Sequence, residues 1–455
     1  MSSTLHLKPE DVDTREKRAK YTVTIAGCEQ NGLLYSCLFA NAGYKVICTD
    51  HDQTLIHLVA KGKAPFTQRD TEIGLRNHVK EGHIMATEDT KTAISRSNII
   101  IINTPLEIDQ KKKPDYSNIE KTCKLLGANI RQDSLTIITS IVGVGVVDGL
   151  IRETLENTSG FRIGTEIGLA YSPKFASNVE NIEKEPGQEQ IVAASDKTSL
   201  NAASTVLETI SQGTLKRTLN VGAAEIAVLF QAAQQEVNSA LANEFAFFCE
   251  KAGLDYFEAQ GLGTHATAIS SPAHSDAKTE DASYLFLEDA ENLSVKLRTL
   301  SVARETNEEI ARHAANLVGD ALRSCGRTFT RAKVSMLGIS ETPNMKSPPK
   351  RLVKKLAKIM ETRGAKISIY DPYFSSDSPD AGRPVKKTLN ESLEGANCIV
   401  LITPHDQFRR ISLNKLKILT KMPAAIVDLT GILEPDKVEK EGFIYRGLGR
   451  KVLRK

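Results

Sequence analysis

Neither sign of charge is in excess in this chain: 59 lysines and arginines stand against 56 acidic residues, for a net charge of +3. That balance excludes the basic footprint of a nucleic-acid-binding surface. The one local basic run, Lys111-Lys112-Lys113 before Pro114-Asp115, reads as a solvated loop. No apolar run is long enough to span a bilayer, because the most suspect one, Leu135 to Leu150, is broken by Gly143, Gly145 and Asp148. Residues 1–20 are polar and charged, without the apolar core of a signal peptide, and are expected to form a flexible extension. Cys28, Cys37, Cys48, Cys123, Cys249, Cys325 and Cys398 include no C-x-x-C pair, which excludes a zinc site or a disulfide scaffold. Most lie in apolar stretches, as small buried side chains do. They fit a reducing compartment. The expectation is a cytoplasmic protein with no membrane, nucleic-acid or metal partner.

What is present is an ordinary globular composition, 40% hydrophobic and 25% charged, over 455 residues, enough for two or three domains. Tyr21 to Ala26 is a short β-rich run, Gly27 to Gly32 a turn, and Leu33 to Ala42 helical in composition, ended by Gly43. Lys45 to Cys48 makes a second strand, closed by Asp50. This β-α-β unit has the size of a dinucleotide-binding start. Further strands are predicted at Asn98–Ile102, Leu135–Thr139 and Gln190–Ala194, giving a parallel, doubly wound sheet. Ala223 to Ala252 contains neither Gly nor Pro and predicts one helix of roughly 45 Å. Tyr284 to Leu322 is also helix-rich. Strands at Val334–Ile339, Lys366–Tyr370, Cys398–Thr403 and Ala424–Leu429, with a helix over Lys350–Thr362, then repeat the first pattern. The predicted fold class is α/β, with two Rossmann-like doubly wound domains joined by a central helical domain. The boundaries read are 1–20 for the extension, 21–215, 216–325 and 326–455.

Several spaced stretches carry a resemblance over roughly residues 20–455. They are Thr104-Pro105 after a strand, Pro114 to Ser117, Ala224-Glu225 and Asn243-Glu244 on the long helix, and Tyr284-Leu285 followed by Ala303-Arg304 and Asn307. Ser347-Pro348, Gly364 to Lys366, Asp371-Pro372 and Gly442 to Arg450 complete the set. In this order they resemble the nucleotide-sugar dehydrogenases of the UDP-glucose/GDP-mannose dehydrogenase family, in the layout of the UDP-N-acetyl-D-mannosamine dehydrogenases. The resemblance implies an NAD-binding first domain, a dimerising central helix and a UDP-binding last domain. It implies a homodimer, or a hetero-oligomer with an intact paralogue, and a nucleotide-sugar ligand.

Measured against that family, the site is degenerate. The family's G-x-G-x-x-G maps onto Gly27 to Gly32, with Gly27 and Gly32 in place and Glu29 where the pyrophosphate needs bare backbone. Gly27, Gly32, Asp50 and Thr104 are the implied cofactor-binding residues; Asp50 suits a ribose diol and is equally ordinary turn chemistry. The family oxidises a primary alcohol through two hydride transfers and a cysteine-bound thioester. Counting back from Tyr284-Leu285 places the cysteine position at Ala277, while Asp281 matches the pattern. The lysine and asparagine of the long helix fall on Val228 and Ala232, the threonine after Ser140 on Ile141, and the glutamate after Ser172-Pro173 on Lys174. The late arginine is missing from Asp428-Leu-Thr-Gly431, and the F-K-x-x-x-D-D stretch before Ser347-Pro348 is absent. Losing one preorganised oxyanion donor costs ~10²–10³ in rate, and a cooperating nucleophile up to ~10⁶.

Three readings stay open. The chain is a non-catalytic homologue with a regulatory, scaffolding or hetero-oligomeric role. Alternatively it is an NAD-dependent oxidoreductase with a rebuilt site, in which His274, among Asp276, Lys278 and Glu280, serves as general base. The third reading is a nucleotide-sugar sensor without turnover.

Overall fold

The computed structural model describes residues 4–64, 69–109, 111–173, 189–211, 213–262, 272–273, 276–374 and 384–451. Two compact units result: Met1–Ala233 with Asp281–Lys296, and Gln234–Glu280 with Leu297–Lys455.

β-branched runs build the sheet of the first unit. Its elements are β1 (Thr22–Ala26), helix α1 (Gln30–Ala42), β2 (Lys45–Thr49), helix α2 (Arg69–Lys80), β3 (Ile84–Ala86) and β4 (Ile99–Ile102). After the hairpin β5 (Glu107–Ile108) and β6 (Pro114–Asp115) come β7 (Leu135–Ile138), β8 (Gly168–Tyr171), β9 (Gln190–Ala193) and β10 (Leu215–Thr218). Eight of these strands lie in the order β10-β9-β8-β7-β4-β1-β2-β3. Every pairing is parallel except β8 with β9. The four isoleucines of β4 are all buried, as a strand covered on both faces requires. The order reverses between β1 and β4, so the loops after Ala26 and Ile102 flank the switch point where open α/β sheets take ligands.

Residues 4–20, expected as a flexible extension, instead pack. Leu5, Leu7 and Val12 are buried, and Arg18 donates to the carbonyls of Val12 and Ala42. Most of the polar side chains that suggest an extension lie at the surface, Thr4 being a buried exception. The basic run is the hairpin loop between β5 and β6, where Lys113 bonds Glu288 and Glu291.

The long helix α3 spans Val221–Ala252. The stretch from Tyr284 resolves into α4 (Ala277–Asn292) and α5 (Arg298–Ser324). In the second unit, α5 buries Leu300, Ala303, Arg304, Asn307, Ile310, Ala311 and Ala314 at helical spacing, the pattern of a core-facing stripe. Strands β11 (Lys333–Leu337), β12 (Lys366–Tyr370), β13 (Cys398–Leu401), β14 (Ala425–Asp428) and β15 (Ile444–Gly447), with helix α6 (Arg351–Thr362) after β11, form an all-parallel sheet ordered β12-β11-β13-β14-β15. The chain therefore carries two doubly wound α/β sheets. Among the described residues no helix is long and apolar enough to cross a membrane.

Candidate functional site

At the switch point of the first sheet, Gly27 has φ +100°, and a Cβ there would sit 2.5 Å from the carbonyl oxygen of Asn103. A Cβ on Gly32 would lie 1.9 Å from the carbonyl oxygen of Gly27. Both glycines are demanded by backbone-on-backbone packing. Position 29 differs: Glu29 is the N-cap of α1 at φ −67° and ψ −172°, ordinary extended backbone for any residue. Its exposed carboxylate stands at the positive end of α1, where a pyrophosphate would need the same field.

Asp50, the ribose candidate, turns its carboxylate inward. Oδ2 accepts the Cys28 N–H at 2.7 Å and Oδ1 accepts the Asp52 N–H at 3.0 Å. The side chain is 4% exposed and also meets His51. Thr104 is buried, with its hydroxyl 3.3 Å from that of Thr122 and its carbonyl accepting from Ser140. The loop therefore carries two carboxylates, Glu29 at the surface and Asp50 bonded to the Cys28 and Asp52 N–H groups. That donor set does not fit a dinucleotide pyrophosphate and ribose, and no chemical step through NAD follows from it.

Of the positions read by resemblance as threonine, lysine and asparagine, Ile141 and Ala232 share one apolar cluster, and Val228 is buried on the same helix as Ala232. Val228 is 3% exposed and Ala232 fully buried on α3. Ala232 packs with Leu229, Ala282 and Leu285, and Ile141 lies against the same cluster. Glu225, one turn before Val228, is occupied structurally, because its carboxylate accepts the N–H groups of Gly145 and Val147 at 2.6 and 2.9 Å. Burial pushes its pKa up to about 7. The sequence marks Glu225 by resemblance only and gives no sign that it caps this turn.

In the second unit, Ala277 begins α4. Its N–H donates to Glu341 Oε1 at 3.0 Å. Burial raises the Glu341 pKa to about 7, against the lowering effect of that bond. Lys350, buried and bonded to the Ile402 carbonyl, is lowered by desolvation to about 8. Beside Ala277 runs a pocket lined by Asn243, Glu280, Arg304, Arg351 and Lys355. Its charged groups pair with one another and with their neighbours: Arg304 reaches Glu236, Glu280 and Glu308, and Arg351 and Lys355 reach Glu280. Asn243, which donates to Asn307 Oδ1 at 2.8 Å, lines it together with Asn307. Glu341 and Lys350 escape the sequence reading because the loop between β11 and α6 has no spacing pattern to mark them.

Farther along the second sheet, Asp371 Oδ2 accepts two backbone N–H groups, the Ser340 hydroxyl and His405 Nε2. Burial works to raise its pKa, but the bond to His405, the imidazole beside it and the backbone donors hold the carboxyl below the usual range. All seven cysteines are free and buried. Lys174 and His274 lie outside the described residues.

Residues 21–211 match the NAD binding domain of the UDP-glucose/GDP-mannose dehydrogenase family, and residues 337–435 match that family's UDP binding domain. The chain is 25% identical over 437 residues to a UDP-N-acetyl-D-mannosamine dehydrogenase of Pyrococcus horikoshii, covering 94% of this chain and 99% of that one. It is 24% identical over 446 residues to a UDP-glucose 6-dehydrogenase of Rhizobium meliloti, covering 94% and 99%. A solved UDP-D-ManNAc dehydrogenase structure from Pyrococcus horikoshii superposes with a TM-score of 0.84 at 24% identity, over 95% of this chain and 100% of that one. Both ends of the chain and the sheet order between them thus lead to one conclusion: the chain belongs to the UDP-glucose/GDP-mannose dehydrogenase family.

Proposed function

We propose that this chain is a non-catalytic member of its family, acting as a regulatory, scaffolding or hetero-oligomeric partner. The observation that carries the reading is Ala277. A methyl group stands at the nucleophile position, and the helix N–H beside it is taken by the Glu341 carboxylate. A methyl cannot attack an aldehyde, and a carboxylate at that N–H opposes the oxyanion a thioester step would generate. Val228 and Ala232 supply no charge to replace it. With NAD⁺ and a panel of UDP-hexoses, the purified protein is expected to produce no NADH above a no-enzyme control. Two NADH per sugar would overturn the proposal.

The partner we assign is a second copy of this chain. On α3, Leu241, Phe245 and Phe248 recur at helical spacing with 38%, 44% and 69% of their surface exposed. A stripe of two phenylalanines and a leucine on one helix face is the composition of an interface centre. Light scattering is expected to give a dimer mass for the natural chain and a monomer mass for Phe245→Asp/Phe248→Asp, each change costing ~2 kcal/mol or more of association. A monomeric natural chain would sink the assignment. Free, buried thiols throughout agree with the reducing cytoplasm as its location.

A further inference from the structure

Helix α2 ends in a turn that brings two histidines together. The His83 N–H donates to the His78 carbonyl at 2.9 Å and the Gly82 N–H to the Val79 carbonyl at 3.2 Å, with Gly82 at φ +76°. This is a Schellman ending, and it places the side chain two positions past the helix against the one in its last turn. In most proteins that contact is apolar. Here both members are imidazoles, His78 Nδ1 and His83 Nδ1, 3.4 Å apart. Glu81, between them in sequence, lays Oε2 3.2 Å from His83 Nδ1. The three ligand-type atoms all lie within 4.8 Å of one another.

The two separations at His83 Nδ1, 3.4 Å to His78 and 3.2 Å to Glu81, match the edge of a coordination tetrahedron, in which ligands roughly 2.0–2.1 Å from Zn²⁺ stand about 3.3–3.4 Å apart. A second, independent observation concerns the far side of the ring. His78 Nε2 lies 2.7 Å from Asn41 Oδ1, and Asn41 is itself anchored by Arg15, which donates to its carbonyl at 2.8 Å. An acceptor at Nε2 fixes the proton there and leaves the Nδ1 lone pair facing His83 and Glu81. That is the outer hydrogen bond by which metal-binding histidines are oriented. The same arrangement without a metal leaves two imidazole nitrogens and a carboxylate crowded on one surface turn.

We propose that His78, Glu81 and His83 form a surface site for a divalent transition-metal ion of the Zn²⁺ class, with its fourth position open to solvent. Two nitrogen ligands and one carboxylate suit Zn²⁺, Co²⁺ or Ni²⁺ and disfavour Mg²⁺, which prefers an all-oxygen octahedron. The site shares no residue with the cofactor loop or with the Ala277 position, so it stands whatever the outcome of the turnover assay.

The test uses the full-length, tag-free protein stripped with a chelator and titrated with Zn²⁺ and Co²⁺ by calorimetry. One ion per chain is expected, with Mg²⁺ giving no heat above dilution. His83→Ala and His78→Ala are each expected to abolish binding, and Asn41→Ala to weaken it about 10–100-fold while keeping one site. Neither histidine belongs to the core, and melting of the metal-free variants reports whether each is folded. The Co²⁺ spectrum is expected to lack a thiolate charge-transfer band, because every cysteine is buried. Absence of binding, or binding that survives both histidine variants, overturns the proposal. A thiolate band does so too, by assigning the ion to a cysteine.

Discussion

Arg304→Met is expected to destabilise the second unit by about 3–5 kcal/mol, the range for breaking a buried ion pair from one side. Arg304 is 5% exposed and Glu236 fully buried, and the guanidinium reaches Glu236, Glu280 and Glu308 together. Glu280 keeps Arg351 and Lys355 as further partners. Glu236 keeps the neutral Asn307 amide, so it becomes the uncompensated charge. Chemical denaturation of the variant beside the natural chain measures the loss. Arg304→Lys is expected to recover only part of the loss, since a single ammonium cannot fork between carboxylates. A loss under about 1 kcal/mol at about pH 8 would mean that the network adds little to stability.

Gly32→Ala is expected to cost about 4 kcal/mol or more, enough to deplete soluble protein. The added Cβ would fall 1.9 Å from the Gly27 carbonyl oxygen, a contact between two backbones with no flexible side chain to move aside. The same change tests why the loop has its glycines. If Gly27 and Gly32 serve β1 and α1 packing, the loss appears in thermal melts with no cofactor added. If they serve only a cofactor, Gly32→Ala melts like the natural chain. Glu29 gives the contrast. Its φ of −67° needs no glycine, so glycine is required at 27 and 32 by the fold and at 29 by a ligand alone.

The same contrast bounds what the sequence makes legible. Strands with buried β-branched runs, such as β1 and β4, are legible because apolar runs closed by turn residues have few other uses. The short edge strands β3, β10 and β15 escape it, since their partly exposed residues make no continuous buried apolar run. Residues 4–20 pass for an extension because their few buried side chains are spread among charged ones. At the candidate site, the missing groups are legible and the engaged ones are not. That Asp50 faces Cys28 and Asp52 is visible only in the folded turn.

The sequence by itself determined the order of two α/β sheets around long helices, and which reactive side chains exist near each motif. Periodicity and an inventory of atoms are written along the chain, so the lack of a cysteine between Cys249 and Cys325 holds in any fold. Only the tertiary structure decided who meets whom. Glu341 reaches the Ala277 N–H from 64 residues away, and Arg304 joins Glu236 and Glu280 from three helices. The reason is physical: burial strips water from a charged or polar group, and its replacement partner is whatever side chain packing delivers, at any distance in sequence.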